Sequence, residues 1–211
     1  MPRRFFVTGT DTGVGKTVVS ALLSAALGAT YWKPIQTGAR EGTDRRTVIQ
    51  LTGLRRSQTA REIYRFSPPV SPHLAAQRAG VSISISKISH AMRTIRGNLI
   101  VEGAGGVLVP VTGSLLMIDM MADLRLPILL VSRTTLGTIN HTLLSLASLR
   151  ARKLDVKGVI LVGNPDRENL KAIERYGDVQ VVGTVPVLER IDRPALVGVF
   201  RDRFERRVFT E

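Results

Sequence analysis

A chain of 211 residues that is 44% hydrophobic and free of cysteine has the content of one packed domain, residues 1–211, and excludes a disulfide framework or a thiolate metal site. Its three scattered histidines argue against a zinc centre, and a reducing cytoplasm is the expected compartment. A formal charge of +13 and a pI near 11.2 bring nucleic acid and anionic membrane forward as partners, yet the arginines are spread along the chain, aromatics are only 5% and no nucleic-acid module is visible, so the expectation is a solvated basic face with no nucleic acid and no membrane.

The first nine residues, "MPRRFFVTG", hold an apolar run that breaks after Val7. That is too short for a signal peptide, and no later stretch reads as a membrane span. From here short runs rich in Val, Ile and Leu alternate with helical patterns. Strands are expected at "RFFV" (4–7), "TYWK" (30–33), "NLIVE" (98–102), "PILLVS" (127–132), "KGVILVG" (157–163) and "VQVVGTV" (179–185). Helices are expected at "KTVVSALLSAAL" (16–27), "DRRTVIQLTG" (44–53), "PHLAAQRAG" (72–80), "ISKISHAMRTIR" (85–96), "GTINHTLLSLASLRARK" (137–153) and "RENLKAIERYG" (167–177). The tail from Arg190 reads as charge pairing on exposed faces, with Asp192, Asp202 and Glu205 among its basic residues. This alternation predicts a doubly wound α/β fold, with a mostly parallel sheet flanked by helices and ligands at the carboxyl ends of the strands.

The segment "GTDTGVGKT", residues 9–17, lies between the first strand and the first helix. A glycine-rich loop there turns backbone amides and a helix N-terminus toward an anion. Lys16 is then placed to reach β- and γ-phosphates, and the Thr17 hydroxyl to hold Mg²⁺, with Gly13, Val14, Gly15 and Val18 completing the wrap. The loop carries one residue more than the usual P-loop, with Thr10 where its first glycine belongs. Nucleotide binding is favoured over a plain strand-to-helix turn, because strand, glycines, Lys-Thr and helix occur in order.

Mg²⁺ wants further oxygens, and other strand ends must supply them. Glu102, in "NLIVEGAGG", follows an apolar strand and precedes glycines; it reads as a metal ligand or as a turn acid capping the next element. Asp44 opens a helix, where it reads as a second acidic ligand or as an N-cap. Lys33, in "YWKPIQTG", stands before a proline at the end of the second strand. It is either a surface lysine or a cation that stabilises charge developing in the crevice, with the Thr37 hydroxyl beside it on the substrate. The start of "GTINHT" offers the amides of Thr138, Ile139 and Asn140 to a carboxylate. His141 reads as a helix-surface or packing residue and not as a base, since no Ser or Cys nucleophile motif accompanies it. Asn164, at the end of the fifth strand, reads equally as a purine contact or as part of an Asn-Pro turn.

Taken together, "VTGTDTGVGKT", "KPIQTG", "SPHLAA", "VEGAGG", "LGTINHT" and "VVGTVPVL" resemble the dethiobiotin synthetase family, in that family's order and almost from end to end. The resemblance implies a P-loop NTPase-like fold and a cyclo-ligase that joins 7,8-diaminononanoate and CO₂ at the expense of ATP, with Mg²⁺ as cofactor. It implies that Thr17, Asp44 and Glu102 hold the metal and that Lys33 and Lys16 are catalytic. Gly13 to Val18 and Glu102, Gly103, Ala104 and Gly105 would lie on the phosphates and ribose. Asn164 and Pro165, with Pro186, Val187 and Leu188, would enclose adenine. Thr12 and Thr37 would bind substrate, and Thr138, Ile139 and Asn140 would hold its tail carboxylate from the second subunit of a homodimer. Gly13 departs from the Glu of some members, and Pro165 stands where an acid is common. A cobyrinate-type amide synthase would need a glutaminase cysteine, and a ParA-like DNA-associated ATPase usually has another early lysine in its P-loop; this chain has neither.

Overall fold

The computed structural model describes residues 2–164 and 166–209. β1 (Arg4–Gly9) runs into α1 (Lys16–Leu27), then β2 (Thr30–Trp32), β3 (Ile35–Gln36) and α2 (Asp44–Thr52). β4 (Tyr64–Arg65), α3 (Pro72–Arg78) and α4 (Ile85–Thr94) lead to β5 (Leu99–Gly106) and α5 (Met117–Leu124). The rest alternates: β6 (Ile128–Arg133), α6 (Thr138–Ala151), β7 (Val156–Val162), α7 (Arg167–Gly177), β8 (Val181–Val185) and α8 (Arg193–Arg203).

Six strands form one parallel sheet in the order β2-β5-β1-β6-β7-β8, while β3 and β4 pair apart from it. Alternation along β1 shows why helices must cover both faces. Phe6 joins one buried cluster with Trp32, Val101 and Leu130, whereas Phe5 and Val7 join another with Tyr31, Ile100 and Leu129. From β1 the chain crosses toward the β2 edge, and from β5 it crosses to β6 on the other side. The crevice at the carboxyl ends of β1 and β5 is therefore the switch point where an open α/β sheet receives ligands.

Two helices were not expected from the sequence. α5 lies inside a long apolar run, where helix and buried strand look alike. α8 carries readable signals: Asp192 accepts from the Ala195 amide at 3.0 Å, Pro194 stands in the first turn, and Leu196, Val199 and Phe200 are buried. The tail does pair Arg190 with Asp192 and Arg201 with Asp202. It is not merely a solvated face, however, because the rings of Phe200, Phe204 and Phe209 pack against one another at tilted or edge angles, and Phe209 packs against Phe5 in the core.

β5 also runs four residues past the expected end, so Glu102 lies within the strand and does not cap a turn. The glycines that suggested a break instead admit close packing. A Cβ on Gly106 would lie 3.3 Å from the carbonyl oxygen of Thr10, so the P-loop backbone rests directly on this strand.

Candidate active site

The crevice is a cavity of about 650 Å³ between the P-loop, the 33–44 segment, the 69–72 loop and β5. Gly15 begins α1 at φ 102°, and a Cβ there would meet Val162 at 2.8 Å, so both backbone and space demand glycine. Among the described residues, no acceptor lies within hydrogen-bonding reach of the amides of Gly13 to Val18. Such a row of donors fits phosphate oxygens. Lys16 is buried and its Nζ donates to the Asp11 carbonyl at 2.7 Å, folded back over its own loop. Loss of hydration pushes its pKa down to about 8; repulsion from Lys33 adds to this and Glu102 opposes it.

At the centre is a buried charge network. The Lys33 ammonium donates to Asp44 Oδ2 and, at 3.1 Å, to Glu102 Oε1. The Thr17 hydroxyl donates to that same Glu102 oxygen at 2.9 Å. Burial pulls the Lys33 pKa down, but Glu102 and Asp44 together outweigh it and hold the ammonium above its ordinary value. Lys33 is thus a buried, charged side chain and not a surface lysine. Asp44 is free to meet it because Thr43 takes the capping role, accepting from the Arg46 amide at 3.2 Å.

Mg²⁺ fits this donor set. Two carboxylates already meet a cation, the Lys33 ammonium, with the Thr17 hydroxyl on the nearer Glu102 oxygen, and one or two carboxylates beside substrate phosphates is how this ion is usually bound. Among the described residues there is no cluster of three or more His, Cys, Asp or Glu that would suggest a site built wholly from protein ligands.

Two residues of this network escaped the sequence reading. Tyr31, fully buried on β2, donates its hydroxyl to Glu102 Oε2 at 3.0 Å; burial, reinforced by Glu102, keeps its own pKa well above the usual value. The Gln36 side chain accepts from the Asp44 amide at 3.0 Å and donates to the Thr37 carbonyl at 2.7 Å, tying the loop after β3 to the start of α2. The signal available was position: both lie within three residues of Lys33 on the second strand and its exit.

The other expected site residues are distributed unevenly. Thr12, Gly13, Gly15, Lys16, Thr17, Val18, Lys33, Thr37, Asp44, Glu102, Ala104 and Gly105 line the one cavity. Val14 is buried in the core beneath the loop, and Gly103 sits in β5 against the Phe6 ring. Asn164, Pro186, Val187 and Leu188 follow β7 and β8, outside the cavity lining, and Val187 is 73% exposed. Pro165 lies outside the described residues.

At the start of α6 the Thr138 amide donates to the Thr135 carbonyl at 3.1 Å, so the expected trio of open amides reduces to Ile139 and Asn140. The buried Thr138 hydroxyl is also engaged, with the Arg133 carbonyl and with Ser132 Oγ. His141 lines a second cavity, of about 390 Å³, with Leu108, Leu144 and Ser145.

The family model described as "AAA domain" matches residues 3–195. The ATP-dependent dethiobiotin synthetase BioD of Agrobacterium fabrum (strain C58 / ATCC 33970) is 45% identical over 211 residues, covering 100% of this chain and 99% of that protein. Its namesake from Rhodopseudomonas palustris (strain HaA2) is 46% identical over 204 residues, 97% of this chain and 95% of that one. A ParA family ATPase from Chlorobium tepidum TLS shares the fold with TM-score 0.59 at 13% identity, covering 95% of this chain and 93% of that one. The cell division ATPase MinD of Pyrococcus furiosus does so with TM-score 0.56 at 18% identity, covering 95% and 98%. At these identities the two structures bear on fold alone, which is the P-loop NTPase fold. A buried lysine held between two acids above a phosphate loop, and relatives matched along the whole chain, lead to one conclusion: this chain belongs to the ATP-dependent dethiobiotin synthetase family.

Proposed function

We propose that the chain, acting as one unit over residues 1–211, makes dethiobiotin from 7,8-diaminononanoate, CO₂ and ATP, releasing ADP and phosphate. The observation that carries this reading is Lys33, buried and charged where the P-loop threonine and two acids converge. A substrate amine first adds CO₂ to give a carbamate and a proton. One carbamate oxygen then forms a bond to the γ-phosphorus as the bond to the ADP oxygen breaks. The second amine attacks the resulting carbamic-phosphoric anhydride, closing the cyclic urea with loss of phosphate.

In this scheme protein groups position and neutralise more than they react covalently. Lys16 leaves the Asp11 carbonyl to meet the β- and γ-phosphates, where the open amides of Gly13 to Val18 also bind. Thr17, Asp44 and Glu102 would hold Mg²⁺, which would neutralise phosphate charge. The Lys33 ammonium turns from the acids to the oxygens that gain charge during transfer. Thr12 and Thr37 orient the diamine. Asn164, Pro186, Val187 and Leu188 bound the adenine side.

The amides of Ile139 and Asn140 take the substrate's carboxylate from the other subunit of a homodimer. Exposed Leu108 and Leu144, around the second cavity, give that interface its apolar contact. Among the described residues no helix is long and apolar enough to cross a membrane, and we place the enzyme in the cytoplasm.

The test is incubation of the purified protein with ATP, Mg²⁺, bicarbonate and 7,8-diaminononanoate, with mass detection of dethiobiotin. Product formation with one ADP released per urea is expected. Hydrolysis of ATP that ignores the diamine but rises with duplex DNA would overturn the reading in favour of a ParA-like ATPase.

A further inference from the structure

The arginines that looked dispersed along the sequence do not stay dispersed. Arg40, Arg45, Arg46, Arg56, Arg61 and Arg65 line a single groove of about 1170 Å³ between α2 and the 56–65 segment. Only two carboxylates, Glu41 and Glu62, share it, which leaves an excess of four positive charges. Among the described residues none of the six guanidiniums makes an ion pair. Surface arginines commonly find a carboxylate partner, and gathering this many without one raises a local positive potential that lacks an internal counter-charge. Arg45 is also fixed in place: its Nε donates to Thr59 Oγ1 at 2.9 Å and its Nη2 to the Thr59 carbonyl at 3.3 Å, so one cation is held ready while the exposed ones can adapt. Glu41, Gly42 and Thr43 form wall to both this groove and the catalytic cavity.

We propose that this groove is a second anion site, distinct from the P-loop, that binds a compact oligophosphate group of two or three phosphates. Guanidinium forks match phosphate oxygens in geometry, and a chain of charge near −4 balances the excess where a single phosphate would not. The lining holds no aromatic side chain on which bases of a single strand could stack, and Glu41 and Glu62 would repel a continuous phosphate backbone. The proposal does not depend on which reaction the catalytic cavity performs.

Inorganic tripolyphosphate, without Mg²⁺, is titrated calorimetrically into Lys16→Ala protein, whose P-loop hold on phosphate is weakened, and into the same protein carrying Arg46→Ser, Arg61→Ser and Arg65→Ser. The parent should bind and the triple substitution should weaken binding at least about tenfold, each lost phosphate contact also lowering the salt dependence. Because the three arginines are exposed, folding should survive; circular dichroism checks this, and Arg→Lys at the same positions should restore part of the affinity. Free ATP serves as the second arm. Affinity equal to that of tripolyphosphate identifies a site for the phosphate chain alone, whereas tighter ATP binding lost with the arginines identifies a nucleotide as its source; both support the site. Unchanged affinity in the triple variant overturns it. A single strand of about twelve nucleotides that binds tenfold tighter than tripolyphosphate, through the same arginines, also overturns it and makes the groove a nucleic-acid surface.

Discussion

The P-loop cavity and the region after β6 and β8 are built differently. Around Lys33 both acids have partners: Glu102 receives Thr17, Lys33 and Tyr31, and Asp44 receives Lys33 while its amide is held by Gln36. Beyond that cavity, after β6 and β8, Val187 is 73% exposed, Leu136 is fully exposed, and the Ile139 and Asn140 amides meet no acceptor among the described residues. Buried charges cannot be left loosely arranged, because each unpaired one costs several kcal/mol, on the order of 3–5 for a broken buried pair. The chemistry-bearing cavity is therefore formed before any ligand arrives. Exposed apolar and amide groups carry no such penalty, so this region can stay open.

Lys33→Ala is the change expected to break the contrast most severely. It should lower kcat by about a hundredfold or more, as loss of an electrostatic donor to a transition state does, while calorimetric ATP affinity shifts little. Lys33→Arg should not recover full turnover, because a planar fork does not replace a compact ammonium between two acids. Near-normal turnover of Lys33→Ala under saturating substrates would place phosphoryl transfer on Lys16 and Mg²⁺ alone.

Next comes Glu102→Gln, which keeps size and hydrogen bonding but loses the charge. Activity should fall by about tenfold or more, in keeping with loss of a strong charge-assisted contact, and recover in part at high Mg²⁺. An unchanged Mg²⁺ dependence would make this carboxylate structural.

A smaller effect should follow Tyr31→Phe. The ring stays in the core, but Glu102 Oε2 loses its partner, which for a buried acceptor costs about 1–3 kcal/mol. Thermal unfolding should fall by several degrees and the Mg²⁺ concentration for half-maximal rate should rise. A shift in stability with no shift in Mg²⁺ dependence would show that Tyr31 supports the fold and does not aim the carboxylate.

Lys16 gives a test by pH. Its pKa near 8 in the free protein means that the ammonium is present below pH 8 and lost above it. Phosphates favour the charged form, so ATP binding should take up a proton above pH 8, and affinity should decline as pH rises from about 7 to 9. The decline should vanish in Lys16→Ala. Calorimetry in buffers of different ionisation enthalpy measures the proton, and equal pH dependence in both proteins would assign it elsewhere.

The mildest change belongs to the open region. Val187→Ala removes a side chain that is largely in water already, so ATP affinity should move less than about threefold, within the range of exposed substitutions. A larger loss would mean that the base covers it closely.

Much of the site was legible without coordinates because its signals are local. A strand, glycines and Lys-Thr at a helix start define a P-loop wherever they occur, and α1 begins at Lys16 and ends at Leu27, as its apolar pattern and Gly28 foretold. Glu102, Lys33 and Asp44 could be nominated from their places at strand and helix ends, but their alternatives could not be closed. Whether Asp44 caps α2 depends on Thr43 doing so instead, and whether Lys33 is solvated depends on β2 lying next to β5 and on Asp44 folding over it.

Tyr31 and Gln36 lie inside the stretch "YWKPIQTG", but residue type gives them no role there; they matter because the sheet order sets β2 beside β5 and because the loop after Lys33 returns to α2. Six of the seven arginines between positions 40 and 65 likewise look like ordinary surface until α2 and the 56–65 segment face one another. Sequence determined which groups could bind phosphate and metal, since that follows from residue type and neighbouring backbone. Which charges are buried, paired or left open was decided by tertiary structure, because burial and pairing arise between segments distant along the chain.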